Sequence, residues 1–163
     1  MGTKGREIVG LDVKEVVKSL NKALADEWLA YYQYWVGSKV AVGRMRGIIA
    51  EELAEHAKEE LAHANKLSDR IIQLGGTPLI NPDQWNKEGN CSYDEPANPR
   101  TKKLLEQNIK GEQCAINVYQ KLLKMVEGKD AITAHLVLEI LEDEVEHEED
   151  LEAILQDMKT KVE

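Results

Sequence analysis

Six side chains of two chemical types recur at matched spacings in this chain. Glu27 is followed by Glu60 and His63; Glu112 is followed by Glu144 and His147. A Glu and a His three residues apart lie on one face of a helix, so each such pair can clasp one cation while the lone glutamate ahead of it completes the set. Carboxylate oxygens combined with imidazole nitrogens suit a transition ion that cycles between two oxidation states, iron above all, better than magnesium or calcium. Two ferrous ions carry as much positive charge as four carboxylates carry negative, so the reduced site is neutral. Acting together, two irons can pass two electrons to one peroxide and so avoid releasing hydroxyl radical. The chemistry within reach of these residues is therefore ferrous oxidation at two iron ions per chain. Glu27 and Glu112 read as terminal ligands, Glu60 and Glu144 as bridges, and His63 and His147 as nitrogen caps.

The elements that must position them are four long helices. Asp12-Val13-Lys14-Glu15 is a capping-box pattern, and Val13, Val17, Leu20, Leu24, Tyr31 and Trp35 follow at three- and four-residue steps, predicting a first helix to about Val36. Gly37 and Gly43 punctuate the next segment; Ile49, Leu53, Leu67, Ile71 and Leu74 then mark a second helix that Gly75-Gly76 stops. Asn98-Pro99 is a cap followed by a first-turn proline, predicting a third helix through Leu105, Ala115, Tyr119, Leu122 and Val126. Gly111 inside it implies a packing or backbone-approach reason. Asp130 caps a fourth, whose stripe is Val137, Leu141, Leu151, Ile154 and Met158.

Each apolar stripe has a gap, and the six polar residues fill the gaps. Burying a lone carboxylate costs several kcal/mol unless it is paired or binds a metal, so four converging carboxylates call for cations. Folding the first helix onto the second about Gly43 brings Glu27 level with Glu60. Gly128 does the same for Glu112 and Glu144, so the chain reads as two copies of one unit: Glu, glycine turn, Glu-x-x-His. Glu-x-x-His alone is weak, because glutamate is common here; the arrangement carries the weight. Glu59 and Asp143, each four residues before a histidine, are either ring-orienting acceptors or plain surface charges. Tyr34, two turns past Glu27, is either a hydrogen-bond or electron donor near the site or a packed core tyrosine. His56, one turn before Glu60, reads first as a core histidine, with a further metal as the alternative.

Residues 75–99 hold all four prolines, and their extended reach matches the length of a long helix. The second and third helices are therefore parallel. This predicts an all-α, up-down-down-up four-helix bundle with one long crossover between the second and third helices, the ferritin-like arrangement. Residues 11–163 read as one domain, preceded by a short flexible tail at 1–10. A net charge of −9 and a pI near 5.0 argue against nucleic acid as partner, and residues 1–10 supply only Lys4 and Arg6. With no eighteen-residue apolar window and no apolar signal core, the expectation is a cytoplasmic protein with no membrane association. Cys91 and Cys114 belong to no C-x-x-C pair, which disfavours a zinc knuckle; free thiols and a disulfide both remain open.

From Leu11 onward the chain resembles the ferritin superfamily, and the six-residue pattern is similar to the intrasubunit site of bacterioferritin. Leu61 stands where bacterioferritin has its haem methionine, so no haem is expected. Sixteen residues follow His147, too few for the fifth helix of 24-subunit cages. ALADEWLAYYQYWVG and NIKGEQCAINVYQ resemble the site-bearing helices of the Dps-like group called thioferritins, which carry one cysteine in the crossover and one just after the third-helix glutamate. That resemblance implies a Cys91–Cys114 disulfide, a homo-oligomeric, dodecameric cage, and Fe(II) and hydrogen peroxide as the reactants. It also implies ferric mineral stored in the cavity and protection against oxidative stress. Cys114 lies about 200° round the helix from Glu112, so the pair is expected to tether the crossover beside the site. Part of the cluster Trp28, Tyr31, Tyr32, Tyr34 and Trp35 is expected to face another subunit. Rival readings are a di-metal peroxidase or manganese catalase on the same bundle, a DNA-binding Dps-type nucleoid protein, and a plain interaction bundle.

Overall fold

The computed structural model describes residues 2–160. Thr3–Glu7, in the stretch expected to be a flexible tail, form a single helical turn, α1, and the Gly10 N–H donates to the Lys129 carbonyl at 2.7 Å. Asp12 then caps α2 (Val13–Val40), its carboxylate accepting the Lys14 N–H at 3.0 Å. The helix runs past its predicted end because Gly37 is buried against Leu53 and Leu104, and packing there outweighs glycine's weak helix propensity. The turn that follows uses Gly43 at φ +114°, a conformation open to glycine, and Met45 at φ 57°; α3 (Arg46–Gln73) returns antiparallel to α2.

Gly75, at φ +82°, ends α3, and the chain enters the crossover, which contains a 3₁₀ turn at Pro82–Gln84 and one further helical turn, α4 (Trp85–Glu88). The crossover is held to α2 by specific contacts. The Trp85 ring stacks on Trp28 with centroids 5.3 Å apart, and Asn21 accepts the Leu79 N–H and donates to the Thr77 carbonyl. Its end is pinned by a short parallel bridge in which Val42 N–H donates to the Pro99 carbonyl and Thr101 N–H to the Val42 carbonyl. That bridge keeps Arg100 extended, so α5 (Thr101–Val126) starts two residues after the Asn98-Pro99 signal. Gly128 (φ +71°) makes the last turn, and Asp130 caps α6 (Ala131–Asp157) by accepting the Thr133 N–H at 3.1 Å. The bundle is all-α, with α2/α3 and α5/α6 as antiparallel hairpins joined by the long crossover, the up-down-down-up arrangement expected.

Two apolar clusters fill the interior. One gathers Leu20, Leu24, Leu67, Ile71, Leu122, Val137 and Ile140; the other gathers Ile49, Leu53, Leu104, Leu105 and Leu151. On every long helix the polar residues of interest fall between the two clusters, in a buried band across the middle of the bundle. The apolar layers on either side exclude water and fix the helix spacing.

Candidate metal centre

Glu27 from α2, Glu60 and His63 from α3, Glu112 from α5, and Glu144 and His147 from α6 are all at most 3% exposed. His63 Nδ1 faces Glu27 Oε2 at 3.3 Å, Glu60 Oε2 at 3.4 Å and Glu144 Oε1 at 3.4 Å. His147 Nδ1 faces Glu60 Oε1 at 3.4 Å, Glu144 Oε2 at 3.4 Å and Glu112 Oε2 at 4.0 Å. The six thus divide into two overlapping quartets that share Glu60 and Glu144.

These separations exceed the usual N–H···O distance of about 2.9 Å. They match donors arranged around an ion: two ligand atoms each about 2.1 Å from a tetrahedral centre stand about 3.4 Å apart. The same conclusion comes from the orphaned atoms. Both histidine Nδ1 atoms, both Glu144 oxygens, Glu27 Oε2 and Glu60 Oε1 are buried without a hydrogen-bond partner among the described residues. Orphaned buried carboxylate and imidazole atoms aimed at one another are costly, and a pair of cations satisfies all of them at once. The residues fit a dinuclear centre.

The outer nitrogens are anchored, and the anchoring crosses between helices. His63 Nε2 on α3 bonds Asp143 on α6 at 2.9 Å, while His147 Nε2 on α6 bonds Glu59 on α3 at 2.8 Å. Glu59 and Asp143 each orient the ring of the opposite helix, the arrangement that leaves Nδ1 free to ligate. Burial alone would lower both imidazoles, but the facing carboxylates win: Glu144 and Glu60 push His147 up to about 12, and Glu144, Glu27 and Glu60 hold His63 well above its ordinary value. Burial first, and then like charge from neighbouring carboxylates, raises Glu27 and Glu112 well above the carboxylate range.

Tyr34 reaches the site, but not through its own helix's glutamate: its hydroxyl donates to Glu112, and the Tyr119 hydroxyl donates to Glu27. Burial, with the charge of the accepting carboxylate, raises both phenols well above their usual range, so both stay protonated donors. Tyr119 read only as a core residue in the sequence. The missed signal is spacing: it follows Glu112 by the same interval at which Tyr34 follows Glu27.

Cys91 and Cys114 are joined, so the crossover is bonded to α5. Cys91 lines a narrow cavity with Gly111 and the carboxylates of Glu27 and Glu112, while Cys114 faces an outer groove with Lys22 and Lys121. Gly111 has no crowding neighbour; an added Cβ would meet only Gln33 Nε2 at 3.8 Å. Asp26, next to Glu27 and easily taken for surface charge, is buried and clamps the crossover. It accepts the Asn90 N–H at 2.7 Å, the Cys91 N–H at 2.8 Å and the Asn90 side-chain amide at 2.7 Å. Burial pushes its carboxyl up to about 6 against the pull of those bonds. His56 is buried with its ring stacked on His147, and His135 is exposed on the outside of α6.

The ferritin-like domain model matches residues 17–161. The chain belongs to the ferritin-like family. Among solved structures it is similar to a dodecameric thioferritin, a bacterioferritin-related protein from Bacteroides fragilis, with 43% identity, a TM-score of 0.94, and coverage of 96% of this chain and 95% of that one. It is 32% identical to the DNA protection during starvation protein of Pyrococcus furiosus over 91% of this chain and 81% of that protein. It also resembles the bacterioferritin of Rhodobacter capsulatus, described with a metal-free dinuclear site and a haem iron, at 25% identity and a TM-score of 0.71 over 88% of this chain and 84% of that one. These relatives place the chain in the Dps-like, thioferritin group of that family. No described helix is long and apolar enough to cross a membrane.

Proposed function

We propose that the protein is a ferroxidase whose substrate, Fe(II), binds as a pair within one chain and is stored as ferric mineral in a cage of identical subunits. The observation that carries this is the pair of histidines, each with Nε2 bonded to a carboxylate and Nδ1 orphaned in front of three carboxylates. Glu60 and Glu144 bridge the two positions, Glu27 and Glu112 close the outer sides, and His63 and His147 cap the two ends. When bound, the two ferrous ions supply the two electrons that reduce one hydrogen peroxide to water. The chain's own residues do the rest: Glu59 and Asp143 fix the imidazole rings, Tyr34 and Tyr119 hold the terminal carboxylates, and the apolar layers keep the band dry.

Peroxide is the preferred oxidant in this proposal, which gives the protein a protective role in the cytoplasm, and the cage is a dodecamer. Support for the assembly is the Bacteroides relative, described as dodecameric, and an aromatic face on α2 where Tyr32 and Trp35 stack while 47% and 42% exposed. The test is anaerobic loading with ferrous ion followed by peroxide, with ferric formation followed by stopped-flow absorbance. The parent protein consumes one peroxide per two irons at a rate far above that of free iron. Glu112→Ala and His147→Ala fall to the protein-free rate; variants as fast as the parent would contradict the proposal.

A further inference from the structure

His56 is a buried imidazole that the dinuclear set does not use. It is 2% exposed, and its Nδ1 has no hydrogen-bond partner among the described residues. Its Nε2 is aimed at two carboxylates from different helices, Glu52 Oε1 on α3 at 3.4 Å and Asp150 Oδ2 on α6 at 3.9 Å. Both distances lie beyond the normal hydrogen-bond range. Both are within the separation of two donors sharing one ion, at most about 4.2 Å when each sits about 2.1 Å from the metal.

The internal repeat shows that the fold does not require an imidazole there. Matching Glu60 with Glu144 and His63 with His147 matches His56 with Ile140, Glu52 with Leu136 and Asp150 with Lys66. Ile140 is fully buried in the apolar core, so the equivalent position packs well with an aliphatic side chain. A buried histidine without hydrogen bonds is destabilising relative to such a residue, and an ion held at Nε2 offsets part of that cost.

We infer that Glu52, His56 and Asp150 form a third, mononuclear site for a divalent transition-metal ion beside the dinuclear centre. One imidazole nitrogen and two carboxylate oxygens suit ferrous, manganous, cobaltous or zinc ions over magnesium. The Glu52 and Asp150 side chains are 27% and 47% exposed, which leaves the ion water ligands and a path to solvent. Inward, the His56 ring stacks on His147 with centroids 4.2 Å apart, and Glu59, which holds His147 Nε2, can approach an ion together with His56.

The test is metal binding, with redox-silent Co(II) as the probe on the full chain. Crystals soaked in Co(II) give an anomalous peak bounded by Glu52, His56 and Asp150. In equilibrium dialysis the parent binds one ion per chain more than His56→Ile, which installs the residue that the repeat places at 140. Asp150→Asn, a change at a half-exposed side chain that leaves the core untouched, weakens the same site by about tenfold or more. An absent peak, or equal cobalt content in parent and both variants, overturns the inference. Glu112→Ala separates this site from the dinuclear one: the His56 peak persists in that variant. A chain that binds only one His56-dependent ion upholds the inference while the dinuclear reading fails.

Discussion

At the scale of single residues, the site without metal is a proton store. Glu27, Glu112, His63 and His147 all bind protons more tightly than in water, because burial and neighbouring carboxylates favour the protonated forms. Divalent ions displace those protons, so metal affinity falls as pH falls and binding acidifies the solution. Zinc titrated into lightly buffered protein is expected to release roughly four protons per two ions. Release near zero would mean that the ions bind elsewhere. The tyrosines give a second prediction. Tyr34→Phe and Tyr119→Phe each remove the donor from one terminal carboxylate, so each slows ferrous oxidation by about tenfold while two ions still bind. Unequal effects, with Tyr119→Phe silent, would show that the two halves of the site are not equivalent. The convergence of the six buried polar residues was legible in the sequence because a buried carboxylate interrupts an apolar stripe visibly. Tyr119 and Asp26 were not, since an aromatic residue continues the stripe and an acid beside Glu27 looks like surface charge. His56 was legible only as a position, its lack of partners being a fact of three-dimensional packing.

At the scale of elements, the helix turns and the crossover carry the risk. Arg70 on α3 reaches the start of α6, where it bonds both Asp130 oxygens at 2.9 and 3.0 Å and Thr133 at 2.8 Å. Although burial raises Asp130, bonds from Thr133 and then Arg70 outweigh it and hold the carboxyl below its ordinary value. A depressed folded value means that this contribution is complete above the ordinary aspartate range and is lost as pH falls through the lowered value. Asp130→Ala leaves Arg70 buried without its partner and is expected to cost about 3 kcal/mol in denaturant unfolding, a difference that shrinks in strong acid. The Cys91–Cys114 bond closes a loop across a separation of 23 residues, and reducing it should lower stability by about 3 kcal/mol. A melting temperature unmoved by reductant would mean that the Asp26 clamp alone holds the crossover. The order of the four long helices was readable from periodicity, but two boundaries and the short α4 were not. Tertiary contacts set them: Gly37 against Leu53, the Val42 bridge at Arg100, and Trp85 stacked on Trp28.

At the scale of the whole molecule, charge and symmetry govern partners. A chain with a net charge of −9 repels a polyanion, and plasmid DNA at physiological salt is expected to migrate unretarded in its presence. Retardation would favour a nucleoid role instead. The twofold internal repeat places equivalent ligands on opposite hairpins, and each quartet draws on both hairpins through the shared Glu60 and Glu144. That is why the two ion positions are expected to fill together. Crystals soaked anaerobically with ferrous ion and recorded at the iron edge address this most directly. Two anomalous peaks are predicted, one among Glu27, Glu60, His63 and Glu144 and the other among Glu60, Glu112, Glu144 and His147; a map with neither peak, the six side chains solvated and apart, would contradict the dinuclear centre.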